Sequence, residues 1–235
     1  MSSTYLVNEL YPCLQGEGPS LGLPSLLVRF QICNLRCTWC DTPYTHTIKS
    51  DKNFFRYTLQ NLIEKIQTYP QKHLILTGGE PTLHNLGSLM RALQAIGPYT
   101  FEVESNATRI PHKQLPGFLE SDYKLAQWNL SPKFSNSGEE IEPDALAHWS
   151  QLATRQEKIY FKFVVREQFV KTDMDEILKL INDFKIRPEN VILMPEGTNV
   201  PSQLNNKWLH DECLKYGFRY TPRLHILLFG HLRGV

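Results

Sequence analysis

The sequence predicts an α/β protein: one domain, residues 1–235, built as an open, partial barrel of β/α units with parallel strands. Three observations predict it. Strand-like runs alternate with segments of helical spacing, and neighbouring parallel strands need a crossover, usually a helix, between them. Glycines, prolines and polar residues gather just after the strand-like runs, where open parallel sheets keep their ligand sites. With 41% hydrophobic and 11% aromatic residues, the chain has enough apolar side chain for a real core.

The elements follow in order. SLLVRFQ (25–31) is an apolar run with Val28 and Phe30, and reads as a strand. TLQNLIEKIQTY (58–69) has apolar residues at 59, 62, 63 and 66, a helical period. HLILT (73–77) is a buried strand ended by Gly78-Gly79, and NLGSLMRALQAIG (85–97) is a helix that stops at a glycine. YTFEVES (99–105) alternates as a strand does, and KLAQWNLS (124–131) is another. FSNSGEEIEP (134–143) reads as a polar surface loop. PDALAHWSQLATR (143–155) is a helix opened by Pro-Asp, KIYFKFVV (158–165) a strand, and TDMDEILKLINDFK (172–185) a capped helix. NVILMP (190–195) is a strand, SQLNNKWLHDECLKYG (202–217) a helix, and FRYTPRLHILLFG (218–230) one last strand or two. The residues of unusual chemistry sit at the strand ends: Thr77–Pro81, Glu104-Ser105, Ser131-Pro132-Lys133 and Met194–Gly197.

Charge is balanced, 25 basic against 24 acidic residues, with no basic cluster, so no nucleic-acid partner is expected. No apolar run reaches the length of a membrane span. The opening MSSTYLVNELYP lacks the pattern of a signal peptide, so a cytoplasmic protein is expected. There the five cysteines are reduced, and clustered ones are metal ligands sooner than disulfides. Cys13 and Cys213 stand alone and read as ordinary thiols.

Cys33, Cys37 and Cys40 are spaced C-x3-C-x2-C. Three thiolates from one loop can hold three irons of a [4Fe–4S] cluster and leave the fourth iron open, whereas electron-transfer clusters are usually closed by four cysteines. A zinc site remains an alternative, with His46 the nearest fourth ligand, although zinc prefers paired cysteines with a second pair downstream.

With Trp39 before the last cysteine, the loop resembles that of the radical S-adenosylmethionine enzymes. ILTGGEP (75–81) resembles the loop with which that superfamily holds the cofactor's ammonium. The likeness implies a [4Fe–4S] cluster on Cys33, Cys37 and Cys40, S-adenosylmethionine chelating the open iron, and a barrel of roughly (β6/α3) form. It further implies a 5′-deoxyadenosyl radical that abstracts hydrogen from substrate, with the protein supplying orientation and exclusion of water.

LQGEG (14–18), Arg29 ahead of the cluster, Asp41-Thr42 after it and NLSPK (129–133) together resemble the 7-carboxy-7-deazaguanine synthases of queuosine and deazapurine biosynthesis. That resemblance runs from about residue 8 to RLHILLFG. It implies ring contraction of 6-carboxy-5,6,7,8-tetrahydropterin with loss of ammonia, Mg2+ on Thr42, an external electron donor such as flavodoxin or ferredoxin, and a homodimer. Residue by residue, it implies S-adenosylmethionine contacts from Trp39, Cys40, Asp41, Gly79, Ser131, Pro132, Lys133, Met194, Pro195, Glu196 and Gly197. Substrate contacts fall on Leu14, Gln15, Gly16, Arg29, Thr77 and His225, with His225 on the last strand and Glu104 near either ligand. Met194 stands where some members carry glutamine, and ten residues follow His225, where some members bind the pterin with the terminal carboxylate. The residue chemistry agrees: a planar guanidinium grips a carboxylate in two prongs, and a hydroxyl suits magnesium. Two other readings stay open. An activase of glycyl-radical enzymes shares the cysteine spacing but has no need of LQGEG, Arg29 and Asp41-Thr42. A non-catalytic zinc or iron–sulfur module has no need of Gly-Gly-Glu-Pro.

Overall fold

The structure, a computed structural model, describes residues 4–115 and 117–234. Val235, and with it any role of the terminal carboxylate, lies outside the described residues. In chain order the elements are β1 Tyr5–Leu14, β2 Pro24–Phe30, β3 Phe55–Tyr57, α1 Leu59–Gln67, β4 His73–Gly78, α2 Leu86–Gln94, β5 Thr100–Ser105, α3 Pro111–Gln114, β6 Ala126–Leu130, α4 Pro143–Ala153, β7 Ile159–Val165, α5 Val170–Phe184, β8 Val191–Pro195, α6 Lys207–Tyr216, β9 Arg219–Tyr220 and α7 Leu224–Phe229. Among the described residues, nine strands form one open sheet in the order β3-β1-β2-β4-β5-β6-β7-β8-β9. From β2 to β9 every pairing is parallel.

Helices α1 and α2 form where the sequence caps them, whereas α5, expected to be a capped helix from 172, starts at Val170 after Phe169 with no side-chain cap. Thr58 accepts from the Asn61 amide at the start of α1, and Asn85 accepts from the Ser88 amide at the start of α2. Each presents one apolar stripe, Leu62-Ile63-Ile66 and Leu86-Leu89-Met90-Leu93, to the sheet. Strand side chains alternate. Phe161, Phe163 and Val165 of β7 join Trp128, Leu130, Phe101 and Val103 in the core. Trp128 and Trp149 of α4 meet there with ring centroids 4.8 Å apart. The intervening positions, such as Glu104, Asn129 and Lys162, project to the other face, which holds the polar interior.

Four further expectations need correction. The strands β1 and β3 were not anticipated; both pair antiparallel and extend the sheet beyond β2. The stretch 218–230 is not strand throughout: β9 spans two residues, Pro222 follows, and Leu224–Phe229 is helical. An apolar run that short fits either period, and a proline cannot donate to a ladder. Helix α6 begins at Lys207 rather than near 202, because Asn205 takes a left-handed conformation at φ 57°. The 134–143 segment is no plain surface loop: Phe134, Asn136 and Ser137 are buried. The Asn136 carbonyl accepts from Trp39 Nε1 at 2.9 Å, and the Ser137 carbonyl accepts from the Thr38 amide at 2.8 Å. This segment therefore buttresses the cysteine loop.

Candidate active site

The polar face of the sheet opens into a cavity of about 530 Å³, a volume typical of small-molecule sites. Alternate strand residues line it: Tyr11 and Cys13, Leu27 and Arg29, Ile75 and Thr77, Lys162 and Val164, with Glu104 and Met194. Cys33, Cys37 and Cys40 all reach this cavity as free thiols. Burial pushes Cys33 up to about 11 and raises Cys37 as well. Such thiols are protonated at neutral pH when bare, and they become thiolate ligands where a positive metal centre drives the proton off. The donor set thus fits a thiolate-held cluster. Among the described residues, no three His, Cys, Asp or Glu side chains meet closely enough to hold a single metal ion.

The Gly-Gly-Glu-Pro loop is fixed to the cysteine loop by its backbone. The Gly79 amide donates to the Phe30 carbonyl at 2.9 Å and the Glu80 amide to the Ile32 carbonyl at 2.8 Å. A Cβ on Gly79 would overlap the Ile32 carbonyl and approach the Cys33 amide nitrogen to 2.8 Å. Glycine is required here for close approach to the cysteine loop itself. The fully buried Glu80 carboxylate is consumed within the protein. It accepts from Thr82 Oγ1 at 2.5 Å, Ser105 Oγ at 2.8 Å and the Asn106 amide at 2.7 Å. That knot ties the end of β4 to the end of β5, leaving backbone groups to face a ligand.

The floor is charged. Lys162, buried on β7, donates to Glu17 at 2.5 Å and to Glu104 at 2.6 Å. Burial alone would raise Glu17, but Lys162, Arg223 and His225 outweigh it and lower its carboxyl to about 2. Burial dominates at Glu104, which is pushed up to about 7 despite Lys162. Gln15 Nε2 donates to Glu102 at 2.6 Å, which fixes the orientation of its amide at the cavity edge. Gly16 lies under α7; a Cβ there would come within 2.7 Å of His225 Nδ1.

Comparison with known proteins decides the family. A 7-carboxy-7-deazaguanine synthase of Halobacterium salinarum is 33% identical over 95% of this chain and 90% of its own. One from Pyrobaculum aerophilum is 32% identical across all of both chains. The chain belongs to the 7-carboxy-7-deazaguanine synthase family. The Radical SAM superfamily pattern matches residues 27–137, from β2 through the Asn136–Ser137 buttress. The fold is shared with the crystal structure of QueE from Escherichia coli, with a TM-score of 0.70 at 22% identity, covering 94% of this chain and 95% of that one.

Most of the family-motif positions meet in this cavity: Leu14, Gln15, Gly16, Arg29, Trp39, Asp41, Thr42, Thr77, Gly79, Ser131, Lys133, Met194 and His225. Lys133, its ammonium disfavoured by burial, donates to Ser131 Oγ at 2.6 Å and sits 5.2 Å from the Trp39 ring centroid. Pro132, Pro195, Glu196 and Gly197 lie outside the cavity wall. Gly197, at φ +126°, instead gives its carbonyl to Arg223 Nη1 at 2.7 Å and Gln203 Nε2 at 3.0 Å. His225 reaches the cavity from helix α7, not from a strand. His46, the nearest fourth ligand in the zinc alternative, lines the wall, and its carbonyl accepts from the Cys33 amide at 3.1 Å. Cys13, expected to be an ordinary thiol, also faces the cavity. Sequence reasoning passed over Glu9, Glu17, Tyr44, Lys162, Arg223 and Arg233, all on the cavity wall. The alternation of FEVES and YFKFVV held a clue: charged residues placed between the core-facing positions of a covered strand, as Glu102, Glu104 and Lys162 are, must face a polar interior.

Proposed function

We propose that this chain is a lyase that converts 6-carboxy-5,6,7,8-tetrahydropterin to 7-carboxy-7-deazaguanine and ammonia, within queuosine and 7-deazapurine biosynthesis. The carrying observation is that one cavity is lined both by Cys33, Cys37 and Cys40 and by Arg29. The three cysteines would hold a [4Fe–4S] cluster, with S-adenosylmethionine against Gly79, Ser131, Lys133 and Met194. When bound, the pair supplies the one-electron cleavage that starts hydrogen abstraction from the pterin. The chain's own residues supply position. Arg29 presents a guanidinium suited to the substrate carboxylate. Thr42 offers a hydroxyl to Mg2+, which takes hard oxygen donors and keeps substrate oxygens or waters. Gln15, its amide held by Glu102, and the Glu17–Lys162–Glu104 floor offer donors and acceptors to a flat heterocycle. Leu27, Ile75 and Val164 exclude water along the strands.

The reading includes Mg2+, a homodimer, an external donor such as flavodoxin or ferredoxin, and a cytoplasmic setting. No helix among the described residues is long and apolar enough to cross a membrane. The test is an anaerobic assay of the reconstituted chain with 6-carboxytetrahydropterin, S-adenosylmethionine, Mg2+ and dithionite. Formation of 7-carboxy-7-deazaguanine is expected, and its absence from enzyme with full iron content would sink the reading. Arg29→Ala should keep iron and cofactor binding but raise KM at least tenfold, the cost of losing a charge-assisted bidentate contact. An unchanged KM would remove Arg29 from the carboxylate.

A further inference from the structure

Residues 231–234, after α7, return over the cavity and line it. What holds them is a cluster of charges outside the motifs above. Arg233 donates from Nε to Glu9 Oε1 and from Nη2 to Asn8 Oδ1, and a second Nη2 contact reaches Asp51 Oδ2 at 3.0 Å. Its guanidinium carbon lies 3.9 Å from the centroid of the Tyr44 ring, a cation–π distance. The other oxygen of Glu9 is occupied from the opposite side: Oε2 accepts from Arg29 Nε at 2.6 Å and from Tyr44 Oη at 3.3 Å. One carboxylate is therefore divided between two arginines.

The backbone arranges this division. Strands β1 and β2 pair in antiparallel register with Val7 opposite Phe30 and Glu9 opposite Arg29, so Asn8 is an extra residue in β1. Such a bulge breaks the alternation of side chains and re-aims its neighbours. It lets the consecutive residues Asn8 and Glu9 meet the same arginine while Glu9 faces Arg29 across the ladder. Asn8 is tied further by Nδ2 to Gln31 Oε1 at 2.7 Å, and Gln31 Nε2 donates to the Tyr44 and Thr47 carbonyls. The segment after the cysteine loop is thus fastened to the same bulge.

We propose that Arg233 is a positioning residue which latches segment 231–234 over the cavity and, by engaging one oxygen of Glu9, keeps Glu9 from closing on Arg29 with both oxygens, so that Arg29 stays available to a carboxylate ligand. The idea rests on the reading of Arg29 as the substrate-carboxylate clamp. An unshared carboxylate facing an arginine makes a two-pronged pair, and that pair would compete with a ligand carboxylate for the same guanidinium. Glu9 orients Arg29; Arg233 limits how tightly Glu9 holds it.

The test is a double-mutant cycle on the reconstituted enzyme, using Arg233→Ala, Glu9→Gln and the pair, with two readouts. One is the KM-against-kcat split for 6-carboxytetrahydropterin. The other is fluorescence titration with 6-carboxypterin, an oxidised analogue that needs no turnover. Arg233→Ala is expected to weaken binding of both about fivefold, the upper end for an ion pair at a half-exposed site, with kcat and iron content changed less than twofold. Arg233→Lys, which keeps the charge and can still engage Glu9, should recover about half of that loss on a logarithmic scale. The double variant should bind no more weakly than Glu9→Gln alone, because a neutral amide no longer sequesters Arg29. A merely structural role would give effects that multiply and fall on kcat and iron content alike, and that outcome overturns the latch. Unchanged binding in Arg233→Ala overturns it too. Failure of the wild type itself to bind 6-carboxypterin or turn over would instead sink the functional reading, and the latch with it.

Discussion

Replacing Lys162 by Met tests the charged floor of the cavity. The ammonium is buried and bonded to two carboxylates, so its loss leaves Glu17 and Glu104 facing each other in a low-dielectric interior without a cation between them. The magnitude can be worked from Glu17. Burial pushes its carboxyl up, yet Lys162 and its other cationic neighbours bring it down from 4.5 to about 2, a gap equivalent to about 3 kcal/mol of stability. A carboxyl depressed in the folded state contributes stability that is present above the unfolded value of roughly 4.3 and lost as pH falls through the folded one, so the contribution is complete at pH 7. Glu104 has the opposite sign: raised to about 7, it carries a proton part of the time at neutrality and subtracts from stability as pH rises above the unfolded value of roughly 4.3. Arg223 stays 3.4 Å from Glu17 in the variant, so not all of that gap is lost. Removing one partner of a buried ion pair costs about 3–5 kcal/mol, and Lys162→Met should fall at the lower end, about 3 kcal/mol at pH 7, in urea unfolding or as a fall in Tm of about 6–12 °C for a chain of this size. The deficit should narrow on going to pH 5, because the carboxyls stranded in the variant take up protons that the unfolded chain does not yet bind. A variant within 1 kcal/mol of wild type at pH 7, or a deficit independent of pH, would refute the account.

Two further substitutions probe the cluster loop. Cys37→Ala should abolish the iron–sulfur absorbance and the bound iron while leaving unfolding within about 1 kcal/mol of wild type, since the thiol is only half buried; full iron content would remove it from the ligand set. Gly79→Ala should lower stability by about 1–3 kcal/mol through overpacking against Ile32, and it should reduce iron retention because Cys33 must shift with it. Wild-type iron content and Tm together would show that this contact is relaxed at no cost.

Where an element's signal is local, the sequence made it legible. The helices α1, α2, α4 and α5 carry an apolar stripe, and α1 and α2 add a capping residue. The strands β4 to β8 are short runs between turn residues, so alternation of the two kinds implied the parallel sheet. The cysteine spacing and Gly-Gly-Glu-Pro were legible for the same reason, since each is the work of a few consecutive residues. Strand β1 was not, because YLVNELYPCL is interrupted by Asn8, Glu9 and Pro12 in ways that only a bulge and a partner strand accommodate. Helix α7 was misread because its six residues offer too short a period to separate helix from strand.

By itself the sequence determined the layered α/β architecture, the close spacing of three thiols and the glycines that let one loop lie against another, since these depend on local backbone geometry and side-chain type. Only the tertiary structure decided which charges meet. Lys162 and Glu17 are separated by 145 positions, and Arg233 and Glu9 by 224, yet each pair shares hydrogen bonds. No periodicity encodes such distances. They are set when the strands pair in one register, because alternation then sends every second side chain into a common interior, and a single extra residue in β1 turns Glu9 toward both Arg29 and Arg233.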